Sequence, residues 1–355
     1  MRIALVFNLR EESVDTDEPP SEPPGQPCDD VYAEWDDIHT IKALEAALAS
    51  RHQVTLVNAD LGAFEKLRQL KPELVFNIAE GLHGASREAQ IPAMLDMLQI
   101  PYTGSAPITL GLCLDKRRTK EVLAQHRVPS PRFWVVDSPA ELPKRLSYPL
   151  MVKPPLEGSS KGVTDKALVR NRQELSSQVE WVVGNYGQSA LVEEFLPGRE
   201  FTVAMLGNGA DLRVLPVVEI NFDALPQGGN PIYSYEAKWI WDTEADPLQI
   251  FTCPAQLEPL LQRQIEEVCR SAYKALGCRD WCRIDVRLDA AGYPQIIELN
   301  PLPGILPRPE QNSCFPKAAR AAGLSYDQLI LSVVDAACAR LQLGQGNADE
   351  NRCLL

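Results

Sequence analysis

One segment late in the chain carries the side chains best suited to hold a divalent metal. The sequence RIDVRLDAAGYPQIIELN (283–300) has strand-like ends joined by a DAAG turn. Closure at the centre of this turn would place Asp285 opposite Glu298, and Arg283 would then lie opposite Asn300. Opposed carboxylates repel each other, and Mg²⁺ relieves that repulsion because it prefers oxygen ligands. Taken alone, such a pair is more often a solvated hairpin face, so the neighbouring segments decide between the two interpretations.

A second segment, VKPPLEGSSKGV, is typical of a loop that holds phosphate. Lys153 ends a strand there, and the backbone N–H groups that could surround phosphate oxygens belong to Gly158, Ser159, Ser160 and Gly162. The sequence contains neither GxxxxGK[ST] nor GxGxxG, so a P-loop or Rossmann site is not predicted. The loop also matches the G-x-S-x-G pattern of a hydrolase nucleophile. All four histidines precede Ser160, however, whereas that fold needs its histidine after the serine.

Three further segments add candidate ligands. In LVEEFLPGREF, Glu193 and Glu200 could accept hydrogen bonds from an adenine amine and from ribose hydroxyls, and a solvated strand end is an equally good interpretation. In YSYEAKW, Lys238 lies between aromatic residues, where burial would strengthen its attraction to phosphate. Simple packing explains those aromatic residues equally well. His83 follows a strand, so it would face a cleft at the sheet edge or serve a structural role.

Composition excludes several classes of function. The chain has 355 residues with 35 Lys+Arg and 48 Asp+Glu, and its net charge of −13 opposes binding to nucleic acid. No apolar run reaches the roughly 18 residues that a membrane span needs, and the acidic sequence after the first strand predicts no secretory signal. Nine cysteines without a CxxC pair fit reduced thiols in a cytoplasmic enzyme.

The first part of the chain predicts a small parallel sheet. Strands at 2–7, 53–57 and 73–78 alternate with helical patterns, and a further helix is predicted over about 87–99. Such alternation places functional loops at the carboxyl edge of the sheet. The acidic, proline-rich segment 10–30 predicts an exposed insertion, because prolines at that density support neither a helix nor a central strand.

From Asp115 the pattern changes to short strands between Gly and Pro turns. A helix over 115–126, capped by Asp115, leads into a new sheet. A helix over about 255–276 precedes the acidic hairpin, and a last helix is predicted over about 325–341. The polar end of the chain predicts disorder.

Taken together, these segments resemble the ATP-grasp superfamily, and most closely the D-alanine–D-alanine ligase family. The resemblance runs from about residue 73 to about residue 330 and includes the first strand. The segments that carry it are, in order, HG (83–84), PYTGS, DKRRTK, VKPPLEGSSKGV, LVEEFLPGREFTV, YSYEAK, CRIDV, IIELNPLPG and PKAARAAGLSYDQLI. Their order and spacing make a chance match improbable.

The resemblance implies an α/β fold, the ATP-grasp fold, in which an N-terminal parallel-sheet domain precedes two α+β subdomains that clasp ATP. The implied boundaries are 1–106 for the N-terminal domain, 107–190 for the central subdomain, 191–343 for the C-terminal catalytic domain and 344–355 for a disordered tail. The implied activity is an ADP-forming carboxylate–amine ligase that forms an acyl phosphate, with ATP and two Mg²⁺ ions (or Mn²⁺). It would work as a cytoplasmic homodimer on small amino-acid-type substrates, without nucleic acid or membrane.

The resemblance also implies roles for single residues. The ATP phosphates would be held by Lys116, Lys153, Lys238 and the loop at Gly158 and Ser160. Adenine and ribose would be bound by Glu193, Glu200 and the backbone of Glu194 and Leu196. Magnesium would be bound by Asp285, Glu298 and Asn300. The reacting groups would be stabilised by Arg283, Ser159, Lys238 and the backbone near Gly304, under a lid over 223–245.

Two departures from the family pattern lie at the start of the chain and in the predicted lid. The family's glycine-rich turn and substrate-binding glutamate do not follow the first strand, where Glu11 or Glu12 is the candidate replacement. Trp239 stands where the family has Tyr, and Ser159 matches the serine that this Tyr contacts. The latch between lid and loop must therefore differ here.

A third departure lies after the NPLPG segment. About four residues are inserted before Ser313, the candidate for the family's substrate-carboxylate serine, and they add Arg308. All three departures fall where substrates, with His83 beside them, would bind. They predict that the ligase chemistry is retained while the substrate pair becomes two other amino acids, or an amino acid and a small metabolite. The alternatives are a genuine D-alanine–D-alanine ligase, a non-catalytic nucleotide-binding module, and an ATP-grasp kinase or carboxylase.

Overall fold

A computed structural model describes residues 1–10, 32, 34–242 and 248–343. Several predictions concern residues outside these ranges. They are most of the proline-rich insertion at 10–30, including Glu11 and Glu12, residues 243–245 of the predicted lid, and the tail 344–355.

Alternating strands and helices form a three-stranded sheet at the start of the chain. Its elements are β1 (Arg2–Phe7), α1 (Ile38–Ala49), β2 (Gln53–Asn58), α2 (Ala63–Leu70), β3 (Leu74–Asn77) and α3 (Gln90–Leu98). β1 is central and pairs in parallel with β2 and with β3, which confirms the predicted parallel sheet. The carboxyl ends of β1 and β3 therefore meet at one edge.

Both faces of this sheet are buried at β1 and β3, as expected for parallel strands, whereas the edge strand β2 is largely exposed. On one face, Leu5 and Phe76 share a hydrophobic cluster with Ile41 of α1. On the other face, Val6 and Val75 pack in a separate cluster with α2 and α3. The alternation of side chains along each strand sends neighbouring residues to these two clusters.

A second sheet is antiparallel and follows two short helices. Its elements are α4 (Pro107–Leu114), α5 (Lys116–Gln125), β4 (Phe133–Val136), β5 (Leu150–Lys153), β6 (Leu168–Val169), α6 (Arg172–Tyr186) and β7 (Ala190–Glu194). The strand order is β4-β7-β5-β6. α5 begins where the sequence predicts, because the Asp115 side chain accepts hydrogen bonds from the backbone N–H groups of Arg117 and Arg118.

The third sheet and its helices complete the described chain. The elements are β8 (Glu200–Leu206), β9 (Arg213–Val214), β10 (Val218–Ile220), a π-helix (Ala237–Trp241), β11 (Phe251–Thr252), α7 (Pro259–Ala275), β12 (Trp281–Leu288), β13 (Pro294–Asn300), α8 (Cys314–Ala321) and α9 (Tyr326–Leu341). The strand order is β11-β10-β8-β12-β13, with β9 paired to β8. α9 joins the cluster beneath the first sheet through Leu329 and Val333, so the first and last parts of the chain share a core.

The β12–β13 hairpin has the predicted register at its functional end. Arg283 pairs with Asn300, and Asp285 pairs with Glu298. Beyond Asp285 the register shifts by one residue, which leaves Ile297 as a bulge that the sequence pattern did not indicate. The hairpin therefore places both carboxylates at one position on the sheet.

Within the described ranges, no helix has the length and apolar character needed to span a bilayer.

Candidate active site

A cleft of about 320 Å³ is lined by residues from all three sheet units. Ile78 follows β3, Lys153 ends β5, and Asp285 lies on β12, so distant parts of the sequence converge there. The sequence-predicted site residues that line this cleft are Lys116, Lys153, Gly158, Ser159, Ser160, Glu193, Glu194, Leu196, Glu200, Lys238, Trp239, Arg283, Asp285, Glu298, Asn300, Gly304 and Ser313.

Oxygen donors for a metal lie together on the β12–β13 hairpin. Asn300 Nδ2 is 3.3 Å from Asp285 Oδ2 and 3.5 Å from Glu298 Oε1. Rotation of the Asn300 amide would turn its oxygen to the same point. In the part of the chain that the structure describes, no group of three or more His, Cys, Asp or Glu residues could hold a metal ion. This set of two carboxylates and one amide nevertheless fits Mg²⁺, a hard cation that prefers such oxygens.

Two cations neutralise these carboxylates. Arg283 donates from Nε to Asp285 Oδ1 at 3.1 Å and from Nη2 to Oδ2 at 2.9 Å. Lys116 Nζ lies 3.2 Å from Glu298 Oε2. Burial acts to raise the pKa of Glu298, but Lys116 and other nearby cations outweigh burial and hold that pKa well below its ordinary value. For Asp285, burial and the nearby Glu298 raise the pKa despite Arg283.

A second group of charged side chains lies between α5 and the second sheet. Glu193 Oε1 is 2.5 Å from Lys153 Nζ, and Glu193 Oε2 is 2.9 Å from Lys120 Nζ. Burial acts to raise the pKa of Glu193, but the two lysines lower it to about 2. Glu193 thus neutralises two lysines, and its predicted contact with adenine stays a prediction. Sequence reasoning missed Lys120, although it lies one helical turn after Lys116 on the same face of α5.

The glycine- and serine-containing loop is joined to the segment at 233–239. Lys238 Nζ is 3.2 Å from Ser159 Oγ, and Trp239 Nε1 donates to the Ser159 carbonyl oxygen at 3.0 Å. Ser160 Oγ donates to the Tyr233 carbonyl oxygen at 2.9 Å. The indole thus contacts the backbone of Ser159, while Lys238 contacts its hydroxyl, and the role of these contacts as a latch stays a prediction.

The charge of Lys238 depends on pH in the range just above neutrality. Burial, followed by the nearby Arg283, lowers its pKa to about 8. At neutral pH the ammonium form is retained, and it would be lost as the pH rises above this value. An ammonium in this half-buried position attracts anions more strongly than one in bulk water.

Other predicted residues lie along the same cleft. Glu200 Oε2 accepts from Arg287 Nη1 at 2.8 Å, and Leu196 is a buried residue of the cleft lining. The Glu194 carboxylate is directed instead to Arg132, whose Nη2 lies 2.6 Å from Oε1. Ser313 Oγ donates to the Gly304 carbonyl oxygen at 2.9 Å, which joins the two positions predicted near the reacting groups.

Two predicted substrate residues lie elsewhere. His83 is exposed and is absent from the cleft lining, contrary to the expectation that it faces the cleft. The chain turns after β3 at Gly81, whose φ is +72° and whose carbonyl oxygen accepts from Trp35 Nε1, and this turn carries His83 outwards. Arg308 is also exposed and does not line the cleft. The inserted segment bends back at this point, because the Arg308 backbone N–H donates a hydrogen bond to Gln311 Oε1.

Acidic residues that sequence reasoning missed line the cleft at the edge of the first sheet. Burial, with Glu88 and Glu34, raises the pKa of Glu80 well above its ordinary value. Burial and Glu34 raise the pKa of Glu88 to about 8. Glu80 follows β3, so its position at a strand's carboxyl end was the available signal. These carboxyls, rather than His83, occupy the cleft wall that the first sheet contributes.

Comparisons with known proteins agree with this arrangement. Residues 127–335 match the sequence profile of the family described as D-ala D-ala ligase C-terminus. A D-alanine–D-alanine ligase of Bordetella petrii is 40% identical over 262 residues, which are 72% of this chain and 74% of that protein. The uncharacterized protein y4sG of Sinorhizobium fredii is 35% identical over 325 residues, which are 89% and 92% of the two chains. The structure of D-alanine–D-alanine ligase from Bacillus anthracis complexed with ATP has a similar fold, with a TM-score of 0.69 and 21% identity over 98% of this chain and all of that one.

Proposed function

Because the chain belongs to the D-alanine–D-alanine ligase family of ATP-grasp proteins and is an ATP-dependent C–N ligase, we propose the substrates and residue roles that follow. The enzyme joins the carboxyl group of an amino acid to the amino group of another amino acid or a small metabolite. An acyl phosphate is the intermediate. ATP supplies the phosphoryl group, and ADP and phosphate are released.

One observation carries this proposal above the others. The opposed carboxylates Asp285 and Glu298, with Asn300, lie in the same cleft as Lys116 and Arg283. An oxygen-donor set beside several cations is the arrangement that phosphoryl transfer needs, since that chemistry depends on alignment and on neutralised charge. A purely structural hairpin face has no need for two opposed carboxylates.

Three lysines of the cleft would bind the ATP phosphates. Lys116, Lys153 and Lys238 each contact an acceptor oxygen of the protein, which a phosphate oxygen would replace. The N–H groups of the loop at Gly158 and Ser160 would add neutral donors. Mg²⁺ bound by Asp285, Glu298 and Asn300 would neutralise charge on the phosphates.

Amide formation requires a different set of residues. When the amine attacks, the C–N bond forms and the bond from carbon to the phosphate oxygen breaks, so that phosphate leaves with the electron pair and the amine loses a proton. Arg283 and the backbone N–H groups near Gly304 would donate hydrogen bonds to the transient oxyanion. The contact between Trp239 and Ser159 would hold the lid closed, which keeps water from the acyl phosphate.

The residues at the end of the cleft that we assign to the substrates support a changed substrate pair. Trp239 occupies a position where the family has Tyr, and Glu80 and Glu88 line the wall contributed by the first sheet. Ser313, held to Gly304, is the candidate for binding a substrate carboxylate. Neither Glu11 nor Glu12 lies in the described residues, and both stay candidates for binding an amino group.

A matrix of substrates tests this proposal. The purified chain is incubated with ATP, Mg²⁺ and pairs of D- and L-amino acids or small amines, and ADP, phosphate and the amide product are measured. We expect an amide from a pair other than two D-alanines. If D-alanine alone supports turnover as well as every other pair, the chain is a D-alanine–D-alanine ligase and the altered-substrate proposal is wrong. Phosphate release without any amide would contradict ligase function.

A variant pair tests the metal assignment. Asn300→Ala should abolish turnover while nucleotide binding is partly retained, because the lysines remain. Asn185→Ala is the matched control, since Asn185 is an exposed asparagine on α6. Full activity of Asn300→Ala would remove the proposed role of the hairpin. We also propose a cytoplasmic homodimer, as in the family, and sedimentation equilibrium measures that state.

A further inference from the structure

A buried ion pair joins the first part of the chain to the glycine- and serine-containing loop. Glu34 and Arg87 have side chains that are only 7% and 6% exposed. Arg87 Nη2 lies 2.9 Å from both carboxylate oxygens of Glu34. Arg87 begins the turn of 3₁₀-helix before α3, so this pair belongs to the wall formed by the first sheet.

Both partners also contact the loop, defined here as residues 156–162. The Gly158 N–H donates to Glu34 Oε1 at 3.0 Å, and Arg87 Nη1 donates to the Leu156 carbonyl oxygen at 2.9 Å. Lys161 Nζ lies 3.4 Å from Glu34 Oε2 and 2.6 Å from Glu157 Oε2. Two acids and two bases thus form one network between the first sheet and the loop.

This network explains why a glycine stands at position 158. A Cβ built there would lie closer to Glu34 Oε1 than real contacts allow, so the carboxylate that Arg87 holds would have to move. The backbone of Gly158 does not have a positive φ, so a side chain at this position would displace Glu34 rather than strain the backbone. The close approach of Glu34 and the small residue are therefore a matched pair.

Charge balance keeps the network ionised. Burial acts to raise the pKa of Glu34, but Arg87 and Lys161 outweigh burial and hold that pKa below its ordinary value. Loss of one member of such a buried pair leaves an uncompensated charge. The loop contacts of Glu34 and Arg87 would then be lost together.

The same loop reaches the phosphate end of the cleft. The carbonyl oxygen of Glu157 accepts a hydrogen bond from Lys116 Nζ, and Lys116 is paired with Glu298. In the same loop, the Ser159 hydroxyl oxygen accepts a hydrogen bond from Lys238 Nζ. A shift of the loop would therefore move two of the lysines that we assign to the phosphates.

We propose that Glu34 and Arg87 are positioning residues that clamp the loop 156–162 over the ATP phosphates. The clamp makes closure of the loop depend on docking of the first sheet, where the substrates bind. This inference rests on the proposed function for its kinetic consequences but not for its structural ones. When the clamp is broken, ATP is held less well and water reaches the acyl phosphate, so phosphate is released without amide.

A double-mutant cycle on Glu34 and Gly158 is the sharpest test of the clamp. Gly158→Ala should lower kcat/KM for ATP by about 100-fold, since displacements of the order of 1 Å have such effects. Glu34→Ala should raise the KM for ATP and increase the ratio of phosphate to amide. In the double variant, the added Cβ has space, so Gly158→Ala should cause less than about a threefold further loss. If the two losses multiply instead, the clamp is refuted.

Matched variants separate clamping from general damage. Arg87→Lys keeps the charge and should recover part of the activity that Arg87→Met loses. Glu65→Ala removes an exposed glutamate paired with Arg68 on α2, and its kinetics should equal those of the parent chain. If the ratio of phosphate to amide rises equally in Glu65→Ala and Glu34→Ala, Glu34 is not a positioning residue for the loop.

Hydrogen exchange tests the clamp without any knowledge of the substrates. It is measured on the full chain, alone and with adenosine 5′-(β,γ-imido)triphosphate. In Glu34→Ala, exchange of the amides at 156–162 should accelerate by at least about tenfold while α9 is unchanged. Unchanged exchange in the loop would overturn the clamp. If the parent chain makes no amide from any pair, the proposed function fails, whereas this measurement still decides the clamp.

Discussion

The two ends of the cleft use carboxylates in opposite electrostatic settings. At the end of the cleft that we assign to the ATP phosphates (the phosphate end), Glu193 lies between Lys153 and Lys120, and its pKa falls to about 2. At the edge of the first sheet, burial and Glu34 raise the pKa of Glu88 to about 8. Both carboxyls are shielded from solvent, so burial acts in the same direction on both. For these two carboxyls the difference lies in the neighbouring charges, since two lysines lower the pKa of Glu193, whereas Glu34 adds to the effect of burial on Glu88.

This contrast also separates residues whose roles the resemblance implies from residues that only the structure places in the cleft. The phosphate end is built from segments that resemble the ligase family, and its charges are paired within the protein. At the first-sheet end, Glu80 and Glu88 lie on either side of the HG segment, and neither is among the site residues that the resemblance implies. We therefore expect the reaction at the phosphate end to be sensitive to the substitution of single charged residues. We expect the first-sheet end to be sensitive to pH.

The largest effect is expected from Arg283→Ala. Removal of an oxyanion donor typically lowers kcat by about 100- to 1,000-fold. The variant should still bind nucleotide, because Lys116 and Lys153 remain, and ADP release and calorimetric titration measure the two properties. Arg213→Ala, an exposed arginine on β9, is the control and should keep the parent rate. A kcat within twofold of the parent value for Arg283→Ala would contradict its assigned role.

The next largest effect is a loss of stability in Lys120→Met. Lys120 is fully buried and paired with Glu193, and removal of one partner of a buried pair costs about 3 kcal/mol. Urea denaturation should show this decrease in the free energy of unfolding. Arg117→Ala removes an exposed pair with Glu121 on the same helix and should cost less than about 0.5 kcal/mol. Equal costs in both variants would show that burial of the pair does not matter.

A smaller effect is expected from the titration of Lys238. Its pKa of about 8 means that the ammonium form predominates below this pH and is lost above it. If the charge binds phosphate, kcat/KM for ATP should fall about tenfold for each unit of pH above the pKa. Lys238→Arg should remove this limb of the profile, because a guanidinium stays charged. Identical profiles for parent and variant would exclude Lys238 as the titrating group.

The smallest effect concerns Glu88 and the pH dependence of stability. Its pKa in the folded chain is raised to about 8 from the ordinary value of 4.5, so between these values the unfolded chain releases a proton that the folded chain keeps. The free energy of unfolding should therefore decrease as the pH rises from about 4.5 to about 8. Thermal unfolding of Glu88→Gln should show a shallower decrease. A slope equal to that of the parent chain would show that Glu88 does not keep its proton.

Much of the active-site geometry could be predicted from local patterns. The period of two along a strand placed Asp285 opposite Glu298 and Arg283 opposite Asn300, and both pairs are observed. The Asp115 cap was equally local, since an N-cap needs only the next three residues. The bulge at Ile297 was not predicted, because a bulge depends on how the hairpin packs against its neighbours.

By itself, the sequence determined the order of the segments, the parallel first sheet, the face shared by the acidic hairpin residues and the family to which they belong. Only the tertiary structure decided that Lys120 joins Lys153 at Glu193, that Glu34 and Arg87 reach the loop at Gly158, and that His83 is turned away from the cleft. The reason is physical. Strand alternation and helix capping act over a few residues of chain, whereas ion pairing and pKa shifts depend on distances in space between groups far apart in the sequence.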